Sequence, residues 1–445
     1  MQNLRITVPL LLALALVGCE TLGDAYDYVF TKKAKEKLTG ERLSVLSLNT
    51  RLEPDPQLAQ LEIRLPRPIV NAEWPEAGGY PNHVMQHLAL GDDVKERWRS
   101  SIGGGATRDG RIPAQPVLVG DRVFTMDGSG SVRAFDRAGG RRIWEVDVTP
   151  EDAGRAFGGG LAAAEGRVFV ATGYAEVVAL DAGSGKEIWR QSIVAPARSS
   201  PTVADGRVFV VTVDNQLQVL ATADGRKLWD HVGTPETAGL SGGGSPAVDG
   251  DVVVVVYSSG EIFALRVENG RQLWADNLAA TRRTDALSAL ADIRGRPVID
   301  RGRVLAISHS GRMVSIDLRS GQRIWEQDIG GTETPWVAGD FIYVLSNANE
   351  LVCLTRLDGR VRWVQDLPRY EDPQNRKGNL TWSGPVLGGD RLIIVASNGE
   401  ALSLSPYTGT PLGRVVLPDG TFLTPILADQ TLFVLTDDAD LVAIR

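Results

Sequence analysis

Short apolar stretches recur along this chain in units of constant length. Each unit, such as PVLVGDRVFTMDGSGSVRAFD from Pro116, holds three runs rich in β-branched and apolar residues, with Gly and Asp between them. A fourth run carries the motif Gly-x-x-x-Trp, as in GSGKEIW at 183–189. Seven units begin at Pro116, Leu161, Pro201, Pro246, Pro297, Pro335 and Pro385, and the residues 28 positions later are Trp144, Trp189, Trp229, Trp274, Trp325, Trp363 and Gly413.

Apolar runs separated by turn residues at this spacing are typical of antiparallel β-meanders. A four-stranded meander that is repeated along the chain predicts the blades of a β-propeller. An eighth unit begins at Pro425, but only three strands fit before Arg445. The upstream stretch ERWRSSIG, which contains Trp98, supplies one further strand. Pairing it with the last three strands predicts an all-β chain whose residues 93–445 form a closed eight-bladed propeller of four-stranded antiparallel blades.

The repeated tryptophan has a structural interpretation. On the fourth strand of a blade, its ring would lie between neighbouring sheets and bury roughly 150–250 Å². The glycine four residues earlier suits a turn position with positive φ. The motif therefore indicates how the propeller is built, not what it binds.

The connections between units differ in length, whereas the 28-residue interiors do not. From each tryptophan position to the start of the next unit, the interval ranges from 10 to 23 residues. These connections run from the outer strand of one blade to the inner strand of the next and emerge on one face of the disc. Variable loops on a rigid scaffold commonly carry recognition, so this face is the predicted functional surface.

Composition narrows the choice of partners. The net charge of −8 disfavours nucleic acid, which requires a basic face. No long apolar run follows residue 19, so no transmembrane helix is expected in the mature chain. The two cysteines, Cys19 and Cys353, are too few for a disulfide framework or a cysteine-based zinc site. Cys353 is expected to be a buried, inert thiol.

The N-terminal stretch indicates export. Residues 1–18, MQNLRITVPLLLALALVG, combine one positive charge with a short apolar core, as secretory signal peptides do. The following LVGC is similar to the lipobox of bacterial lipoproteins, which implies lipidation at Cys19 and a membrane anchor. Glu20 replaces the aspartate associated with inner-membrane retention, which favours the periplasmic face of the outer membrane of a Gram-negative bacterium. Residues 19–92 are expected to form a tether that Trp74 pins to the disc.

The blades, for example ALDAGSGKEIW at 179–189, resemble the repeat of the quinoprotein (PQQ) dehydrogenases. An eight-bladed lipoprotein of such blades resembles the BamB family, the propeller subunits of the outer-membrane β-barrel assembly machinery. The resemblance covers about residues 93–445 and the lipobox. It implies a non-catalytic scaffold, with no cofactor, metal or small-molecule substrate, that binds the central barrel-inserting subunit. It also admits unfolded outer-membrane protein precursors as a second partner.

The resemblance also suggests contact residues. In the BamB family, loops after the second and third blades contact the partner through an arginine, leucines and aspartates. The matching loops here are VAPARSSPTV, with Arg198 and Ser199, and ETAGLSGGGSP, with Leu240 and Ser241 but without the aspartates. The neighbouring loop 282–297 mixes charged and apolar residues, which suits either a docking surface or a solvated loop folded on itself. Its candidates are Arg283, Asp285, Leu287, Leu290, Asp292, Ile293 and Arg294.

Two alternatives remain open from the sequence: a PQQ-dependent periplasmic oxidoreductase, and a lipoprotein propeller that scaffolds another envelope complex. The chain lacks the adjacent cysteine pair that quinoprotein dehydrogenases place beside the quinone, and it is short for that family. The G-x-S-x-G match at 239–243 lies in a Gly-rich connection, where a nucleophile elbow is not expected. No metal site is predicted from the remaining polar groups, His83 with His87 and Asp437 with Asp438 and Asp440.

Overall fold

Strands account for nearly all regular structure in the part of the chain that the structure describes. The computed structural model describes residues 52–92, 94–106, 111–151, 153–154, 156–236, 239–279 and 291–445. The signal peptide and Cys19 lie outside these residues. The described helical element is a 3₁₀ turn at Pro56–Leu58, and no described helix has the length and apolar character needed to cross a membrane.

The first half of the described chain contains seventeen strands. They are β1 (Glu96–Ser101), β2 (Val117–Val119), β3 (Arg122–Met126), β4 (Ser131–Asp136), β5 (Arg142–Asp147), β6 (Gly159–Ala164), β7 (Arg167–Thr172), β8 (Glu176–Asp181), β9 (Glu187–Ser192), β10 (Thr202–Ala204), β11 (Arg207–Val211), β12 (Gln216–Ala221), β13 (Lys227–Val232), β14 (Ala247–Asp249), β15 (Val252–Val256), β16 (Glu261–Arg266) and β17 (Gln272–Asn277).

The remaining described residues contribute as many again. They are β18 (Val298–Asp300), β19 (Arg303–Ile307), β20 (Met313–Asp317), β21 (Arg323–Gln327), β22 (Trp336–Ala338), β23 (Phe341–Ser346), β24 (Glu350–Thr355), β25 (Val361–Asp366), β26 (Tyr370–Asp372), β27 (Lys377–Asn379), β28 (Trp382–Gly388), β29 (Arg391–Ala396), β30 (Glu400–Leu404), β31 (Pro411–Val416), β32 (Ile426–Ala428), β33 (Thr431–Leu435) and β34 (Asp440–Ile444).

These strands form eight four-stranded antiparallel sheets within the described residues, and the predicted eight-bladed propeller is confirmed. Blades 1 to 7 are β2–β5, β6–β9, β10–β13, β14–β17, β18–β21, β22–β25 and β28–β31. Blade 8 has the order β1-β34-β33-β32, so the N-terminal strand completes the last sheet, with Trp98 opposite Ala443. The short hairpin β26–β27 lies in the connection between blades 6 and 7.

Burial follows strand position within a blade. The five residues of β15, all valines, are buried, because both faces of the sheet are covered by neighbouring blades. The outermost strand β13 alternates between partly buried and exposed residues, since it lies at the rim. The apolar core is therefore distributed between the sheets.

The Gly-x-x-x-Trp motif links each blade to the next. The indole of Trp229 packs on Gly270, where an added Cβ would lie 2.6 Å from Cε3 of the ring, and its Nε1 donates to the carbonyl of Val267 at 3.0 Å. Gly270 has φ +72°, as predicted for this turn. Among the described residues the same arrangement occurs in the pairs Trp98–Gly140, Trp144–Gly185, Trp189–Gly225, Trp229–Gly270, Trp274–Gly321, Trp325–Gly359 and Trp363–Gly409.

Blade 7 departs from the motif for a geometric reason. Blade 8 takes its outermost strand from the N-terminal side, so no hairpin turn joins that strand to β34. A tryptophan on β31 would therefore find no glycine turn in blade 8 to pack against. Gly413 stands there instead, and a Cβ on it would meet no atom of the described residues within 4 Å.

Residues 69–90, called the strap here, circle one face of the propeller. The innermost strand of each blade ends at this face. The strap forms hydrogen bonds with successive blades there. Ile69 and Leu88 form a parallel bridge that closes the circuit, with Ala89 N donating to Ile69 O at 2.8 Å. Trp74, 1% exposed, pairs with Leu118 and stacks on Trp336 at 6.4 Å between ring centroids.

The strap reaches all eight sheets, mostly through backbone groups. The contacts, from blade 8 and then blades 1 to 7, are Asn71 O with Asp429 N, Trp74 with Leu118, Pro75 O with Ala163 N, Glu76 Oε1 with Val203 N, Pro81 O with Val248 N, Asn82 O with Ile299 N, Gln86 Oε1 with Gly339 N, and Leu88 O with Gly389 N. Because these groups close one end of the central channel, the propeller has the form of a cup.

Candidate functional site

The open end of the cup is a funnel of about 610 Å³. It lies where the innermost strands begin, on the face that also carries the inter-blade connections, which we call the funnel face. Its wall includes Ile112, Phe157, Arg198, Leu240, Arg294 and Leu423. Residues predicted as partner contacts therefore line a concavity of this face.

Arg198 ties three successive connections together. It lies after blade 2, and its Nη2 donates to both carboxylate oxygens of Asp292, after blade 4, at 2.7 and 2.5 Å. The Asp292 carboxylate also accepts the backbone N–H of Leu240, after blade 3, at 2.7 Å. The two charged side chains are 7% and 1% exposed. A buried, hydrogen-bonded ion pair thus joins described residues of the three connections that were predicted to bind a partner.

The predicted contact residues fall into three groups. Arg198, Ser199, Asp292 and Ile293 are buried, so in this arrangement they act on the shape of the loops instead of offering surface. Leu240 and Arg294 are half-buried and Ser241 is exposed on the funnel face. Their role as contacts remains a prediction. The other four candidates lie outside the described residues: Arg283, Asp285, Leu287 and Leu290.

Two exposed valines on this face were missed by the sequence reasoning. Val194 is 56% exposed and Val213 is 46% exposed. Their loops are joined by a hydrogen bond from Val213 N to Pro196 O at 2.9 Å. Val213 occupies a turn beside Asp214 and Asn215, and an apolar side chain at such a turn was the available signal. Val194, Val213 and Leu240 are called the loop patch below.

The histidines considered as metal ligands are committed to backbone groups. Nδ1 of His83 donates to Pro297 O at 2.7 Å, and Nδ1 of His87 donates to Pro66 O at 2.8 Å. Burial, with Arg296 nearby, lowers the pKa of His83 to about 3. Within the described ranges, no group of three or more His, Cys, Asp or Glu residues is arranged to hold a metal ion.

Ser241 and Cys353 occupy unreactive settings. Ser241 lies in an irregular loop with no helix after it, unlike the serine of a nucleophile elbow. Cys353 on β24 is fully buried, and desolvation raises the pKa of its thiol well above the ordinary value. A thiol in that state is a poor nucleophile.

Solved structures with this architecture include propellers of different function. BamB from Moraxella catarrhalis superposes with a TM-score of 0.68 at 18% identity, over 79% of this chain and 100% of that one. A europium-containing methanol dehydrogenase superposes with a TM-score of 0.64 at 15% identity, over 81% of this chain and 89% of that one. At such low identity these likenesses establish the fold alone.

Sequence relatives are more specific. A protein of Alkalilimnicola ehrlichii named "Outer membrane protein assembly factor BamB" is 35% identical over 355 residues, which are 77% of this chain and 89% of the relative. One of the same name from Salmonella typhimurium is 29% identical over 353 residues, 78% of this chain and 88% of the relative. The family profile described as "Outer membrane protein assembly factor BamB" matches residues 128–365. This chain therefore belongs to the BamB family of outer-membrane protein assembly factors.

Proposed function

We propose that this chain is a non-catalytic scaffold that binds the central barrel-inserting subunit of the outer-membrane assembly machinery through its funnel face. The observation that carries the proposal is the loop patch, an apolar surface supported by the buried Arg198–Asp292 pair. Family membership supplies the class of partner.

The loop patch has the properties of a preformed docking surface. Val194 and Val213 are about half exposed, and burying them against a partner removes apolar area from water. Arg198 N donates to Val211 O at 2.8 Å, so the same residue that holds Asp292 also anchors the loop next to Val213. Loops ordered before binding lose less conformational entropy when the partner docks.

We place the site of action at the periplasmic face of the outer membrane. The assembly-factor relatives and the lipobox ending at Cys19 support this location. In this arrangement the lipid anchor holds the propeller close to the barrel-inserting subunit. Unfolded outer-membrane protein precursors are a second partner within the same proposal.

Co-purification tests the proposal. Full-length lipoprotein, extracted in mild detergent, is expected to bring down the barrel-inserting outer-membrane subunit. Recovery of a different envelope complex in its place would overturn the assignment of the partner. Quinone-dependent dye reduction by the purified protein would overturn the non-catalytic assignment.

A further inference from the structure

Below the funnel, the channel narrows to a cavity of about 80 Å³, called the neck here. Its lining includes Gln115, Ser199, Arg294, Arg296, Glu333 and Thr334. The strap lies beneath it: an added Cβ on Gly78 would be 3.1 Å from Cδ of Arg296. The neck is therefore the bottom of the cup. Its volume exceeds the roughly 30 Å³ that one water molecule occupies in the liquid.

Polar groups in the neck lack protein partners. Among the described residues, no hydrogen-bond partner is found for Nε of Arg296, Oε1 of Gln115 or Oγ of Ser199, although all three atoms are buried. Within the part of the chain that the structure describes, the Arg296 guanidinium has one weak hydrogen bond, from Nη1 to Thr334 Oγ1 at 3.3 Å. Buried polar groups are almost always hydrogen-bonded, and two of these, the Arg296 Nε–H and the Ser199 hydroxyl, are donors that an anion in the cavity would satisfy. The Gln115 oxygen can only accept, so it does not itself favour an anion.

The neck also carries an excess positive charge. Arg198 is neutralised by Asp292, and Arg294 lies 3.7 Å from Glu333. Arg296 is left without an ion-pair partner among the described residues, although Glu333 is near enough to favour its charge. Burial lowers the pKa of Arg296 to about 10, which still leaves it protonated at neutral pH. Arg296 is half-buried, and an unpaired cation that is partly removed from water is costly, so an anion in the cavity would relieve that cost.

The funnel above the neck offers apolar contacts. Phe157, Leu240 and Leu423 of its wall are partly or fully exposed. A ligand with an anionic end and an apolar body would place its anionic end beside Arg296 and its apolar body against these side chains. Because Glu333 offsets one of the arginine charges, the neck has one excess positive charge. A ligand group with a single negative charge balances it, whereas a doubly charged group does not.

We infer that the neck binds the carboxylate of an amphiphilic ligand, with Arg296 as the charged partner and the apolar body in the funnel. Nε–H and Nη–H groups of a guanidinium suit a carboxylate, and the Ser199 hydroxyl is a further donor. A free aliphatic acid and the C-terminus of an apolar peptide present the same chemistry.

Calorimetric titration of the purified protein with hexanoate, and with its neutral isostere hexanamide, tests this inference. Hexanoate is expected to bind and hexanamide is not. Arg296→Gln should weaken hexanoate binding about tenfold or more, since it removes a charge-assisted hydrogen bond. Arg294→Gln should weaken hexanoate binding similarly, because the neck loses its excess positive charge. Arg294 is half-exposed, so its substitution disturbs folding less than Arg296→Gln does. Arg226→Gln, with a side chain 68% exposed, is the matched control and should leave binding unchanged.

The second arm distinguishes the two sources of the carboxylate. A short apolar peptide with a free C-terminus is compared with the same peptide as its C-terminal amide. Tighter binding of the free-acid peptide than of hexanoate assigns the site to a chain terminus, and the reverse assigns it to a free acid. Equal binding of hexanoate and hexanamide, absence of binding, or equal weakening by Arg226→Gln would overturn the inference.

Discussion

Arg198 and Asp292, 94 positions apart in sequence, form a buried ion pair through two hydrogen bonds of 2.7 and 2.5 Å. The pair joins the connection after blade 2 to the connection after blade 4, and Leu240 N from the intervening connection donates to the same carboxylate. One pair of side chains thus joins described residues of three adjacent connections on the funnel face.

Arg198→Met should destabilise the protein by about 3–5 kcal/mol, because it leaves the Asp292 carboxylate buried and unpaired. The double substitution Arg198→Met with Asp292→Asn removes the stranded charge and keeps an oxygen for Leu240 N–H. It should recover most of the loss in urea-induced unfolding. Equal stability of the single and double variants would show that the charge pair is not what holds the loops.

The contact between Gly270 and Trp229 can be separated from the cost of positive φ. Gly270 and Gly302 have nearly equal φ values, +72° and +73°. A Cβ on Gly270 meets the Trp229 ring at 2.6 Å, whereas a Cβ on Gly302 meets no described atom within 4 Å. Both alanine variants should lose about 1–2 kcal/mol from the left-handed backbone. Gly270→Ala should lose about 1–3 kcal/mol more from overpacking, and equal losses in chemical denaturation would contradict the packing role.

Blade 7 provides a test of why its tryptophan is missing. Trp363→Ala, one blade earlier, should cost about 3–5 kcal/mol because this indole is buried against Gly409 and donates to Pro406 O. Gly413→Trp should differ from Gly413→Thr by less than about 0.5 kcal/mol in the free energy of unfolding, since both remove a mid-strand glycine and blade 8 has no glycine turn for the indole to pack on. A clearly larger gain for Gly413→Trp than for Gly413→Thr would show that blade 8 does offer a packing surface.

Glu76 of the strap makes stability depend on pH. Burial raises the pKa of Glu76 from 4.5 to about 8. The folded state therefore holds this proton over a range in which the unfolded chain has lost it, so stability should fall as pH rises from about 4.5 to about 8. Glu76→Gln keeps an oxygen for Val203 N–H and does not titrate. The urea concentration at the unfolding midpoint should fall more between pH 5 and pH 8.5 in the wild type than in Glu76→Gln. Equal decreases in the two proteins would contradict this account.

The propeller could be predicted from sequence because its construction is periodic. The constant 28-residue interval predicted the four-stranded blades. The additional strand around Trp98 predicted how the eighth blade is completed and the ring closed. The absence of a tryptophan at Gly413 became understandable only from the structure, which shows that each tryptophan packs on the glycine turn of the next blade. Blade 8 has no hairpin turn between β34 and β1 for such a residue to pack on.

The strap and the loop geometry could not be predicted in the same way. Most strap contacts use backbone N–H and C=O groups, which every residue has, so residues 69–90 carry no side-chain pattern for them. Arg198 and Asp292 looked like surface residues because isolated charges are usually exposed, and nothing in the sequence indicated that they pair. Only the three-dimensional arrangement brings the connections after blades 2, 3 and 4 together.

The funnel face is proposed to dock the barrel-inserting subunit. The most direct measurement is the affinity of the full-length lipoprotein for that subunit in detergent, compared between Val213→Asp and Val416→Asp. Both place a charge at an exposed valine, 46% and 79% exposed, but Val416 lies on β31 at the rim of blade 7. We expect Val213→Asp to weaken binding about tenfold or more and Val416→Asp to leave it unchanged. Unchanged binding by Val213→Asp, or equal weakening by both, would contradict docking through the loop patch.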